Sequence, residues 1–124
     1  MKKYLIISLG CILIFGCKKD PFDYRTKYVG DYSFVIHYSS WNPLNGQFDT
    51  TYSIDGKIDY GSDKNTISIF FSGSSSPQIF TLFEDGTIQD GCKGEFESVN
   101  KIKYSCYWAS PAAHTSETVS GEKK

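Results

Sequence analysis

From Tyr28 onward, apolar and polar residues alternate with a period of two. Tyr28, Gly30, Tyr32, Phe34, Ile36 and Tyr38 fall on even positions, with Asp31, Ser33, His37 and Ser39 between them and Val29 and Val35 as exceptions. Successive strand side chains point to opposite faces, so this spacing predicts a half-buried strand. A second run is cleaner: Tyr52, Ile54, Gly56, Ile58 and Tyr60 alternate with Thr51, Ser53, Asp55, Lys57 and Asp59. Asp55-Gly56 is a strong hairpin dipeptide. A two-residue turn there would set Ser53 against Ile58 and Ile54 against Lys57, mixing polar and apolar on each face. One long strand with a glycine bend is therefore expected.

Ser62-Asp63-Lys64-Asn65 reads as a turn into a third strand carrying Ile67, Ile69 and Phe71. Ser72 to Ser76 is a loop ending at Pro77, and a fourth strand covers Ile79 to Glu84 with both faces apolar. Asp85-Gly86 either turns a hairpin or bends that strand, which sets the count at eight or seven. A hairpin from Lys93 to about Ala109 and a weaker strand from Thr115 to Gly121 complete the pattern. No segment of this region has a helical period. Short strands at close spacing predict an all-β antiparallel barrel or sandwich. Gly30 and Gly56 on the inward parity permit the sharp coiling that favours the barrel. The other face carries Thr, Ser, Asp and Lys and so faces water, the reverse of a membrane-spanning barrel.

The hairpin brings Cys92 and Cys106 together. With Ser98-Val99-Asn100 as a three-residue loop and Asn100 left-handed, Glu97 faces Lys101, Phe96 faces Ile102, Gly94 faces Tyr104 and Cys92 faces Cys106. The cysteines then form a non-hydrogen-bonded pair with α-carbons about 4.5 Å apart. A disulfide is expected, two adjacent buried thiols being the alternative.

The N-terminal segment follows another logic. Met1-Lys2-Lys3 precedes an apolar run from Tyr4 to Phe15, then Gly16, Cys17 and the polar Lys18-Lys19-Asp20. The run is about 12 residues, short of the roughly 20 that span a bilayer, and has the layout of a secretory signal. Ile14-Phe15-Gly16-Cys17 resembles the bacterial lipobox. That resemblance implies cleavage after residue 16 and lipidation of Cys17, whose two or three acyl chains would give durable membrane attachment. Cys11 is the competing site, but cutting there would leave Ile12 to Phe15 at the mature start. The expected organisation is a signal peptide (1–16), a lipidated polar tether (17–27) and one domain (28–124).

Charge and chemistry exclude more than they suggest. Thirteen basic residues meet fourteen acidic ones, and loss of Lys2 and Lys3 leaves a formal charge of −3 with the α-amine acylated. There is no basic stripe for nucleic acid. His37 falls on the outward parity and His114 in a loop after Pro111-Ala112-Ala113. Neither belongs to a metal set, and no cofactor or catalytic residue is expected. Glu84, Asp85 and Asp63 read as strand-end residues.

The lipobox, Tyr28-Val29-Gly30-Asp31-Tyr32, Gly94 to Ser98 before Lys101 to Tyr104, and Val119-Ser120-Gly121 together resemble small Bacteroidota outer-membrane lipoproteins with lipocalin-like domains. The resemblance covers most of the mature chain and implies a meander barrel at an outer membrane. Whether it faces the periplasm or the cell surface stays open; Lys19-Asp20 resembles the surface-export signal of such lipoproteins with fewer acids. Tyr32, Tyr38, Tyr52, Tyr60 and Tyr104 share the inward parity. Buried phenols need partners, so the tyrosines either line a cavity or sit near the barrel ends with hydroxyls in solvent. Three readings follow. A small apolar or amphipathic ligand could sit inside the barrel against Tyr32, Phe34, Tyr52, Ile58 and Tyr104. A protein partner, for instance a hydrolase to be inhibited, could bind loops Trp41–Gly46 and Ser72–Gln78; Trp41 and Trp108 read either as exposed contact residues or as lids on the core. A structural envelope subunit is the third.

Overall fold

The structure, a computed structural model, describes residues 23–124. The expected leader, the lipidation site Cys17 and the start of the tether lie outside the described residues. Eight antiparallel strands follow one another: β1 (Gly30–Asn42), β2 (Gly46–Tyr60), β3 (Thr66–Phe71), β4 (Gln78–Leu82), β5 (Thr87–Gln89), β6 (Cys92–Ser98), β7 (Lys101–Ser110) and β8 (Ala113–Lys123). Each pairs with the next and β8 pairs with β1, closing a barrel of lipocalin-like meander topology.

The two Asp-Gly dipeptides have different fates. Asp55 and Gly56 lie within β2, opposite Ser33 and Tyr32, as the uninterrupted alternation requires. Asp85 and Gly86 turn a hairpin, so the count is eight. Gly86 has φ +91°, the Asp85 carboxylate accepts the Thr87 N–H at 2.9 Å, and the Phe83 N–H donates to Thr87 O at 2.9 Å.

The β6–β7 hairpin keeps the expected outer register by another route. Gly94 faces Tyr104, Phe96 faces Ile102 and Cys92 faces Cys106, but Ser98 faces Lys101 and Glu97 is the extra residue of a bulge. The pairing of Glu97 with Lys101 is therefore incorrect. Among the described non-glycine residues only Asp90 has positive φ, so Asn100 does not supply a left-handed position. A two-residue turn plus a bulge consumes the same number of residues as the three-residue loop. Cys92 and Cys106 are disulfide-bonded with α-carbons 4.3 Å apart.

The interior is filled. Tyr32, Phe34, Ile58, Ile67, Ile69, Leu82, Ile88, Tyr104 and Val119 are fully buried, which also settles the fourth strand: Phe80 and Leu82 point in, Ile79 and Phe83 out. Phe34 takes the space of two missing side chains, since a β-carbon on Gly121 would stand 2.6 Å from its Cε1 and one on Gly56 2.7 Å from its Cε2.

Residues 23–27, expected as part of the polar tether, instead pack against the lower end of the barrel. A 3-10 turn (Thr26–Tyr28) buries Tyr28, whose ring stacks on Phe96 at 4.0 Å. The Tyr24 hydroxyl donates to Leu82 O at 2.7 Å. Arg25 donates to Asp63 O (2.8 Å) and Thr66 O (2.9 Å), is held by Asp23 at 2.7 Å and lies over the Tyr60 ring at 4.9 Å. Its polarity misleads because the guanidinium adds a donor to the Asp63 and Thr66 carbonyls, which also accept from the Thr66 and Gly61 N–H groups, and so ties this segment to the β2–β3 turn.

The upper end is lopsided. β2 pairs with β3 only from Gly56 downward and β6 reaches only Cys92, whereas β1, β2, β7 and β8 continue. Among the described residues, Gly46 to Ile54 ladder with β1 alone and Tyr107 to Ser110 with β8 alone. A four-stranded wall in the order β2-β1-β8-β7 thus rises above a low rim. At about 3.3 Å per residue, the thirteen residues of β1 make a strand about 40 Å long that runs from the base into the wall.

Candidate functional site

The wall draws on residues 38–52 and 106–117. Within those segments stand Trp41, Phe48, Tyr107, Trp108 and three further tyrosine and histidine rings, but no lysine or arginine; the acids are Asp49 and Glu117. Register assigns its two faces. On the face continuing the barrel lumen, one row runs Phe48, Ser40, Thr115, Trp108 and the row below runs Thr50, Tyr38, Glu117, Cys106. On the opposite face Trp41 pairs with His114, their rings stacked at 5.8 Å, and Tyr107 lies 6.4 Å from the same imidazole. At the tip, Leu44 is 93% exposed in a turn whose N–H groups at Leu44 and Asn45 are accepted by the Asn42 side chain.

Solvent reaches Phe48 and Trp108 because the opposite side of the barrel stops short, and Trp41 and Tyr107 because they lie on the outer face. Tyr107 is 63% exposed and Trp108 51%. Phe48 meets Tyr38 edge-on at 6.4 Å. Both tryptophans lie in strands, Trp41 in β1 and Trp108 in β7, so the loop expected at Trp41–Gly46 shortens to residues 43–45. His114 likewise belongs to β8, which starts two residues earlier than expected and ends two later. Nothing in the alternation marks these extensions as wall, because their apolar side chains are not buried.

The residues expected to line a ligand divide into two groups. Tyr32, Phe34, Ile58 and Tyr104 come together in the packed core. The Tyr32 hydroxyl donates to Tyr28 O at 2.6 Å and that of Tyr104 to Gln78 Oε1 at 2.8 Å, so both phenols have protein partners. Burial pushes the Tyr32 phenol up to about 12 and that of Tyr104 further, with the charge of Glu117 adding to the second. Tyr52 stands apart, 44% exposed at the mouth. Tyr38 is half-buried beside it, and Tyr60 at the lower end donates to Thr26 Oγ1 at 2.9 Å. Three of the five inward tyrosines are therefore end residues.

Glu117 has no counterpart in the sequence reading. It is half-buried on the lumen face, directly opposite Tyr38 on one side and Cys106 on the other. Burial raises its carboxyl above the usual range. The signal that could have found it is an acid on the inward parity of the last strand. His37 is exposed and its Nδ1 is 2.8 Å from Thr51 Oγ1. Among the described residues no group of three metal-ligating side chains converges. Asp85 caps its turn, and the Thr87 N–H it accepts holds its carboxyl below the usual range. Asp63 lies in the β2–β3 turn and offers its carbonyl to Arg25.

Comparison of the chain with protein-family models, with curated proteins and with solved structures finds no match. What stands is the fold itself, an eight-stranded antiparallel barrel consistent with a lipocalin-like domain.

Proposed function

We propose that this chain is a lipid-anchored outer-membrane lipoprotein that holds a partner protein against the upper wall of its barrel. One observation carries the binding half of the reading: exposed aromatic residues cluster on a wall free of lysine and arginine, above an interior already occupied by side chains. The cores of protein interfaces are enriched in Trp, Tyr and Phe and depleted of Lys, Glu and Asp. A ligand inside the barrel has less support, since Tyr32, Phe34, Ile58 and Tyr104 pack against one another and the two phenols bond to the protein.

The anchor rests on the lipobox resemblance. Cys17 precedes Asp23 by six residues, which reach about 20 Å when extended. Asp23 to Tyr28 pack at the lower end, so a lipid on Cys17 would tie that end to the membrane and leave the wall pointing away.

Two experiments test the two halves. Radiolabelled palmitate should enter the wild-type chain and not Cys17→Ser; equal labelling or equal processing of both contradicts the anchor. A photo-crosslinking residue placed at Leu44 or Trp108 of the full chain, in cells that produce it, should yield a discrete protein adduct. The same residue at Lys57, on the barrel flank, should not. Adducts from Lys57 alone, or from none of the three, contradict the wall as a docking surface.

A further inference from the structure

We infer that Glu117 is the anionic centre of a cation-recognition notch in the wall, receiving a lysine or arginine side chain of the bound protein. The inference rests on the protein-binding reading above and names the chemistry of the contact.

Glu117 projects from β8 between Tyr38 of β1 and Cys106 of β7, its direct register partners. Its diagonal neighbours on β7 are Tyr104 below and Trp108 above, within reach of long side chains. Register thus sets three aromatic residues and the disulfide-bonded Cys106 on the strands that flank Glu117. Among the described residues it makes no ion pair and accepts no side-chain hydrogen bond. The ion pairs among the described residues join Arg25 to Asp23, Lys57 to Asp59 and Lys124 to Asp55, all outside the wall segments.

A half-buried carboxylate without a partner costs stability, as the upward push on its carboxyl registers. Among the described residues the wall segments contain no lysine or arginine to neutralise it, and a cationic side chain of another molecule supplies the complementary charge. A cation held by Glu117 stands between the strands that carry Tyr38 and Trp108, and aromatic rings attract cations through their quadrupoles. A neutral oligosaccharide would stack on the same rings and gain nothing from the charge. Because the tether leaves from the opposite end, the cation is assigned to a protein rather than to a headgroup of the anchoring membrane.

The two tryptophans of the chain both lie on the wall, so in a Trp41→Phe background fluorescence reports Trp108 alone. The full chain in detergent micelles would be titrated with poly-L-lysine, poly-L-glutamate and chitohexaose. Poly-L-lysine should give a saturable shift of Trp108 emission, weakened at least tenfold by Glu117→Gln and unaffected by Glu97→Gln, an exposed carboxylate on the barrel flank. Poly-L-glutamate should give none. Thermal unfolding of each variant shows that it is folded. No response to poly-L-lysine, or equal weakening by both substitutions, overturns the notch. A chitohexaose response indifferent to Glu117→Gln overturns it in favour of a glycan surface. If the Leu44 and Trp108 adducts persist while the lysine response fails, docking stands and the notch falls; if the adducts are also absent, the docking reading falls first.

Discussion

Cys92 and Cys106 are direct register partners on β6 and β7, and their disulfide ties the low rim of the barrel to the tall wall. The bond encloses a hairpin with a sequence separation of 14. Loop-closure entropy sets its worth at about 3 kcal/mol, and the hairpin, which already holds its ends close, reduces that. Cys92→Ala with Cys106→Ala should lower unfolding free energy by about 1–3 kcal/mol in urea titration. An unchanged midpoint would mean that the bridge constrains nothing in the unfolded chain.

Phe34 and Gly121 form a second such pair. A β-carbon at Gly121 would stand 2.6 Å from Phe34 Cε1 and 2.7 Å from Ile102 Cγ2. Gly121→Ala should destabilise by about 1–3 kcal/mol, the usual cost of overpacking a core. Adding Phe34→Leu to the same chain should recover part of that loss, because the two sites share one contact. Strict additivity in a thermal double-mutant cycle would show that the alanine is accommodated elsewhere.

The alkaline limit of stability follows from Tyr32 and Tyr104. An unfolded tyrosine ionises near pH 10, while burial holds Tyr32 neutral up to about 12 and Tyr104 beyond that. Above about pH 10 the unfolded chain releases protons that the barrel keeps, so stability falls as pH rises. Tyr104→Phe should flatten this decline in urea midpoints measured between pH 9 and about 11.5, although losing the bond to Gln78 lowers the neutral-pH value. A decline as steep as in the wild type would show that the phenol ionises freely in the fold.

Glu117 gives a dependence of the same sign at lower pH. Its folded pKa is raised, so the barrel binds this proton more tightly than the unfolded chain, and stability falls as pH climbs from about 4.3 through the folded value. The groups facing it are Tyr38 from β1, and Tyr104 and the Cys106 disulfide from β7, none of which carries charge in that range. Glu117→Gln should therefore raise the melting temperature at pH 7 and leave it nearly unchanged at pH 4. A lower melting temperature at pH 7 would mean that the carboxylate has a favourable partner.

Arg25 closes the lower end through Asp63 O and Thr66 O. Arg25→Met keeps the stem but removes one donor from each of those carbonyls, which retain the Thr66 and Gly61 N–H groups, at a cost of about 0.5–1.5 kcal/mol per bond. Hydrogen exchange should then rise in the β2–β3 turn before it rises elsewhere. Uniform acceleration would show that the plug and the barrel open as one unit.

How far the fold could be read from sequence depended on burial. Where one face of a strand is covered, as from Ile54 to Ile58, alternation is strict and marks both strand and register; from Tyr32 to Ile36 only the exposed Val35 breaks it. The same logic separated Asp55-Gly56, crossed by an unbroken alternation, from Asp85-Gly86, whose flanks are ambiguous. Parity says which face a residue takes but not how high the lumen is covered, so Tyr52 and Tyr60 read like Tyr32 yet sit partly exposed at the two ends of the barrel. The wall above Tyr38 was invisible as a unit because Ser, Thr, Asn and exposed aromatics alternate there with no buried side to impose a pattern. Arg25 was missed for another reason: its partners are backbone carbonyls about 40 residues away, and no local spacing encodes them.

The central claim, a packed barrel carrying an occupied wall, is met most directly by hydroxyl-radical footprinting of the full chain in intact cells and after purification. Tyr32 and Tyr104 should resist oxidation in both samples, whereas Trp41, Tyr107 and Trp108 should be shielded in cells and reactive once purified. Equal reactivity of those three rings in both samples, or ready oxidation of Tyr32 and Tyr104 in the purified protein, would contradict it.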